Sequence, residues 1–162
     1  MIARISISKI RDYLKTIITE CPKWYIGQMD ENQDKAIALY ANRRQLEDNS
    51  KYKKLKSYGI LPVTLLLRWT KNYNMAETMA NKIYELLDCS SFFIDDYNCS
   101  IECLYNGPID LGADENNIYK FSIELNLLYR KGENNGNKIR SISMLRKSIS
   151  SWNKFRIIKR HC

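Results

Sequence analysis

Between Tyr119 and Arg130 the chain alternates more cleanly than anywhere else. Tyr119, Phe121, Ile123, Leu125, Leu127 and Tyr129 take every second place, and Lys120, Ser122, Glu124, Asn126 and Arg130 fill most of the places between. A period of two belongs to an extended strand with one buried face, so the stretch must lie in a sheet that other elements cover on one side. The residues ahead of it, Gly107-Pro108, Gly112 and Asp114-Glu115-Asn116-Asn117, are turn formers, and the chain is expected to reverse over residues 107–117.

The covering elements are legible as helical stripes. Ile2, Ile5, Ile10, Leu14, Ile17 and Ile18 recur at spacings that predict an amphipathic helix over about residues 3–20, ended by Cys21-Pro22. Met75, Met79, Ile83 and Leu86, flanked by Ala76, Ala80, Tyr84 and Leu87, predict a second helix that packs on the sheet. Further strands are expected at Trp24–Gly27, at the nearly continuous apolar run Ala36–Ala41, and at Leu61–Lys71. One or two more should follow in 92–105, bent near Asp95-Asp96. The fold class is α+β: a mixed or antiparallel sheet of four to five strands with both helices on one face.

At 162 residues the chain is long enough for one domain with a real core. Its net charge of +8 is uneven. Residues 131–162 hold nine Lys or Arg and one acid, Glu133, whereas residues 1–130 balance at 17 of each sign. This divides the chain into a neutral body, 1–130, and a basic extension, 131–162. After a polar link at 131–136, Ile142, Leu145, Ile149, Trp152, Phe155 and Ile157 or Ile158 predict a basic amphipathic helix over about 141–160. Such a helix can lie on a membrane surface, neutralise nucleic-acid phosphates, or lay Trp152 and Phe155 into a groove on a protein with Arg156 and its neighbours on the rim. A neutral body favours the protein groove, because a dedicated nucleic-acid reader carries its charge on the folded surface. Residues 42–60, rich in bases, are expected to form a long loop.

Catalytic constellations are not found. There is no phosphate-cradling glycine loop, no nucleophile elbow, and a single histidine, His161, next to the last residue. Cys99 and Cys103 have a metal-pair spacing but lack a second pair, so the five cysteines are expected as reduced thiols, these two on the inward face of a strand. No metal, no cofactor and no enzymatic activity are expected. No apolar run is long enough to span a membrane, and the N-terminal residues lack the continuous apolar core of a signal peptide, so a cytoplasmic site of synthesis is expected.

One family fits this pattern. Pro108, Leu111, Gly112, Asp114, Glu115, Tyr119 and Phe121, in the order proline, Leu-Gly, Asp-Glu, polar spacer, aromatic and alternating strand, resemble the C-terminal end of the minor capsid or tail terminator proteins of tailed bacteriophages. Three upstream segments resemble that family in the same order: AIALYANR from Ala36, LPVTLLLRWTK from Leu61 and NMAETMANKIYELLD from Asn74. The resemblance covers roughly residues 5–130.

The resemblance implies a structural virion protein that is assembled in the host cytoplasm. It would form a six-fold homomeric ring that caps the tail tube, stops its growth and meets the neck or collar. The implied partners are further copies of the chain, the tail-tube protein, a neck, collar or head completion protein, and the tail sheath of a contractile tail. Membranes are not among them, and DNA is involved only as it passes through the ring. The candidate interface residues on this reading are Arg43, Arg44, Lys53, Lys54 and Lys56 in the long loop, Asp114 and Glu115 in the turn, and Trp152, Phe155 and Arg156 in the extension. A head-side completion or minor capsid protein, and the terminator of a headless tail-like particle, stay open beside it. A basic nucleic-acid-binding accessory protein is the alternative of another class.

Overall fold

The computed structural model describes residues 5–42 and 59–132. In chain order they form α1 (Ile7–Ile17), β1 (Lys23–Ile26), β2 (Ala36–Ala41), β3 (Gly59–Arg68), α2 (Tyr73–Leu87), β4 (Ser91–Ile94), β5 (Tyr97–Cys103), β6 (Ile109–Ala113) and β7 (Tyr119–Lys131). The chain divides into two units, Met1–Gly132 and Glu133–Cys162. The second, with its expected helix, lies outside the described residues.

The alternating stretch is β7, and it organises the sheet. β3 pairs antiparallel along ten residues of it, from Gly59 opposite Tyr129 to Arg68 opposite Lys120. The other side of β7 is shared: β5 pairs with its second half, Leu125–Lys131, and β6 with its first, Tyr119–Ser122. β5 and β6 thus act as one strand interrupted at 104–108, where the Leu104 amide still donates to the Glu124 carbonyl at 2.9 Å. The remaining order is β1-β2-β3-β7-β5-β4.

The α+β class stands, and the sheet is mixed, but it has seven strands rather than four or five. Short strands make up the larger number: β1 and β4, four residues each, lie where the sequence suggests strands, and β6 adds five residues inside what the sequence presents as a turn. The continuous apolar run Ala36–Ala41 suggests a central strand buried on both faces. Residues 36–39 are buried on both, but Tyr40 is half-buried and Ala41 exposed, and the strand is not central, because β1 alone separates it from the edge.

Inward-facing residues follow the register. Ile37 and Leu39 of β2 stand opposite Leu67 and Leu65 of β3. Leu67, Leu65, Val63 and Leu61 in turn stand opposite Phe121, Ile123, Leu125 and Leu127 of β7. All belong to one core cluster with Ile10 and Leu14 of α1 and Ala76, Met79, Ala80, Ile83 and Leu87 of α2, so both helices cover the same face. α2 packs on β7 and β5, while α1 touches β1, β2 and β4, elements from both ends of the strand order. The sheet therefore curls around α1, and Tyr13 of α1 stacks on Phe92 of β4 with ring centroids 3.9 Å apart.

The helix ends follow local chemistry. The Ser6 hydroxyl caps α1 by accepting from the Lys9 amide, and the Asn72 side chain caps α2 by accepting from the Met75 amide at 3.1 Å. α1 stops at Ile17, ahead of the Cys21-Pro22 stop that the sequence suggests. Gly59 is fixed by a close approach, since an added Cβ would run into the Tyr129 ring opposite it.

Candidate functional site

The outer face of the sheet, away from the helices, carries the feature that sequence reasoning did not single out. β1 and β2 are parallel, Lys23 opposite Ala36 and Ile26 opposite Leu39, so the chain must return along the sheet between them. It does so in residues 27–35, fewer than the dozen or more that a parallel crossover usually takes. Gly27, at φ +73, and Lys35, at φ +52, make the bends at its two ends. The crossover runs over the outer face, where Ala36 and Ala38 are fully buried; side chains this small let the backbone pass close.

Arg68 holds this crossover down. Its place in the alternation of β3 points it outward, opposite Ala36 on one side and Lys120 on the other, yet it is only 1% exposed. Its Nη1 donates to the Gln33 carbonyl and lies 3.7 Å from an oxygen of the exposed Asp34, while its Nε donates to Asp114 Oδ2 at 2.6 Å. Asp114 sits in the β6–β7 hairpin. Its other carboxylate oxygen accepts from the amides of Asn116 and Ile118 at 2.9 and 3.0 Å, and Asn117 turns the chain at φ +59. One guanidinium thus joins β3, the crossover and the hairpin tip, which the Asn116 side chain also ties to the crossover by donating its Nδ2 to the Glu31 carbonyl at 3.4 Å. Arg68 Nη2 is buried and has no hydrogen-bond partner among the described residues.

Burial works against ionisation of Asp114, but the hydrogen bonds from Arg68 and from the Ile118 and Asn116 amides outweigh it, holding the carboxyl below its ordinary range. Beside this clamp lies an open cleft of about 480 Å³, with Tyr40 and Leu66 on its floor and Asp30, Glu31 and Lys120 among its lining residues. The clamp fixes the geometry of the crossover and the hairpin tip. Among the described residues no three His, Cys, Asp or Glu side chains come together as a metal site, and no helix is long and apolar enough to cross a membrane.

Of the candidate interface residues, Asp114 and Glu115 are brought to this tip. Asp114 is spent on Arg68 and only 12% exposed, whereas Glu115 is open to solvent. Arg43, Arg44, Lys53, Lys54, Lys56, Trp152, Phe155 and Arg156 lie outside the described residues.

Cys99 is buried, and Cys103 packs half-buried against the core, both on the inward side of β5. Burial, with Asp88 nearby, pushes the Cys103 thiol up to about 12. Only the thiolate is a good nucleophile, so at pH 8 Cys103 should alkylate on the order of a thousandfold more slowly than an ordinary free thiol. Iodoacetamide labelling of the native chain followed by peptide mapping should modify exposed Cys89 early, and Cys21, Cys99 and Cys103 only on unfolding.

Comparison with known proteins places this architecture. No curated protein and no solved structure matches the chain. A family model described as bacteriophage tail terminator protein matches residues 6–131, from the start of the first helix to the end of β7. That span takes in the curled sheet, both helices and the Arg68–Asp114 clamp, and the chain belongs to the bacteriophage tail terminator family.

Proposed function

We propose that this chain is a structural component of the virion that ends the tail tube: copies of it close into a ring on the last ring of tube subunits, stop further addition and present a new surface to the neck. The observation that carries this reading is the family match, which spans the whole sheet and both helices rather than one motif.

The physics of a cap explains why such a protein needs shape more than chemistry. Tube growth continues as long as each added ring exposes the surface that receives the next. A terminator binds that surface with one side and offers a different one on the other, so it needs two rigid, unlike faces. In a closed ring the subunit contact is heterologous, and its rotation must close. Contacts to the tube that are weak singly then act together through effective concentration. The fold suits this use: one core between a seven-stranded sheet and two helices holds the faces, and the Arg68 clamp braces the hairpin tip, where Glu115 is exposed, against the crossover. A six-fold ring is the closure we assign, with the tail-tube protein on one side and a neck or head completion protein on the other.

The test is electron microscopy of particles made with and without this protein. Tails of uncontrolled length, or tubes without an end structure, are the expected result. Normal tails that fail to join heads would place the protein on the head side instead, and unaltered particles would overturn the structural role.

A further inference from the structure

We propose that the cleft beside the Arg68 clamp is a binding site for an amide group, the peptide bond or the Asn or Gln side chain of an incoming protein segment, with Arg68 Nη2 as its hydrogen-bond donor. The proposal goes beyond the tail-ending role and does not depend on ring closure.

The donor is the starting point. Buried polar groups in folded proteins nearly always have a partner, so one that has none marks a place where another group is received. Arg68 is 1% exposed and is one of the residues that line the cleft. Two of its three guanidinium nitrogens are committed, Nε to Asp114 and Nη1 to the Gln33 carbonyl, and only Nη2 has no partner among the described residues. Guanidinium nitrogens donate and do not accept, so whatever arrives must bring an acceptor. Nη2 itself is covered, and the acceptor seats by shifting the side chains over it.

The walls choose among acceptors. In the lining, Arg68 and Lys120 stand against Asp30, Glu31 and Asp114, two positive charges against three negative. Asp114 already compensates Arg68, which leaves Lys120 with two carboxylates around it. A carboxylate or phosphate would add a further negative charge there, and a cation would leave Nη2 unmet. An amide answers both needs, because its carbonyl accepts from Nη2 while its N–H donates to Asp30 or Glu31. The carbon on either side of it has a place as well. Half-buried Tyr40 and Leu66 form the floor, and beside Gly27 nothing lies within 4 Å of where a Cβ would stand, so a chain can pass there. The volume of about 480 Å³ lies within the roughly 300–1,000 Å³ of ligand pockets.

The experiment titrates the full ¹⁵N-labelled chain with two capped dipeptides of one shape, acetyl-Leu-Gln-amide and acetyl-Leu-Glu-amide. Saturable shifts of the Arg68 Nε–H and Gly27 amide signals are expected with the Gln peptide, and weaker binding with the Glu peptide. Arg68→Met/Asp114→Leu should bind the Gln peptide about tenfold or more weakly, the loss of one hydrogen bond from a charged donor. Asp30→Asn/Glu31→Gln keeps the clamp and turns the charge of the lining positive, so in it the Glu peptide should gain on the Gln peptide.

No saturable shift with either peptide would leave a bound water as the partner of Nη2 and overturn the proposal. Tighter binding of the Glu peptide to the wild type would overturn the choice of an amide. Equal binding of the Gln peptide to the wild type and to Arg68→Met/Asp114→Leu would place the peptide elsewhere. Nuclear Overhauser contacts from the Arg68 guanidinium to another segment of the same chain would show the cleft filled from within, and would overturn the proposal too. None of these outcomes touches the tail-ending role, which tube length reads independently.

Discussion

Asp114→Ala is expected to cost about 3–5 kcal/mol of stability, because it leaves the Arg68 guanidinium buried and uncompensated. Arg68 is 1% exposed, and its other acidic neighbour, Asp34, is 64% exposed and too well solvated to take over. Asp114 also organises the tip by accepting from the Asn116 and Ile118 amides, so the substitution removes the turn and the clamp together. A loss of this size lowers the melting temperature by roughly 10–20 °C in a domain of this length. Replacing both partners, as in Arg68→Met/Asp114→Leu, should cost much less than Asp114→Ala, since a buried pair exchanged for apolar side chains is often close to neutral. Thermal melts of the three chains separate a clamp from mere bulk. Equal losses in the single and double variants would show that charge compensation is not what Asp114 supplies.

The same pair sets an acid limit. Asp114 has its carboxyl held below the ordinary value in the folded chain, so its contribution is fully present above the unfolded value of about 3.9 and fades as pH falls through the folded value. Stability measured from pH 5 downward should therefore fall more steeply in the wild type than in Asp114→Ala.

Leu127→Ala is expected to cost about 2–5 kcal/mol, the range for emptying a leucine site in a packed core. Leu127 is fully buried, and in register it stands between Leu61 of β3 and Ile101 of β5, where the two halves of the sheet meet on β7. Neighbours held on both sides by strand pairing can collapse only partly into the space. Urea unfolding should show a lower midpoint with an unchanged slope, because the surface exposed on unfolding is nearly the same. A loss below about 1 kcal/mol would mean that β7 does not carry the core.

The parts of the fold that sequence makes legible are those whose burial is periodic along one segment. β7 and β3 alternate, α2 carries a stripe, and each forms where its pattern says. β6 escapes because five residues give too few repeats and Gly112, at φ +75, breaks their alternation, whereas β1, equally short, lies where the sequence suggests a strand. Arg68 escapes for a different reason. Its place in β3 is an outward, polar one, which locally reads as solvent-facing. It is buried because residues 27–35, remote in sequence, fold over it and because Asp114 arrives from 46 residues away. The hint in the sequence is the pair of small residues, Ala36 and Ala38, on what would otherwise be an open face.

A chain that ends tube growth should set tube length in a purified system. Tail-tube protein would be polymerised with increasing amounts of the full chain added partway, and lengths read from electron micrographs. Growth that halts on addition, with the chain found at one end of each tube and nowhere along its wall, is the expected result. Tubes that keep growing at the same rate, with the chain absent from their ends, would show that it does not terminate them.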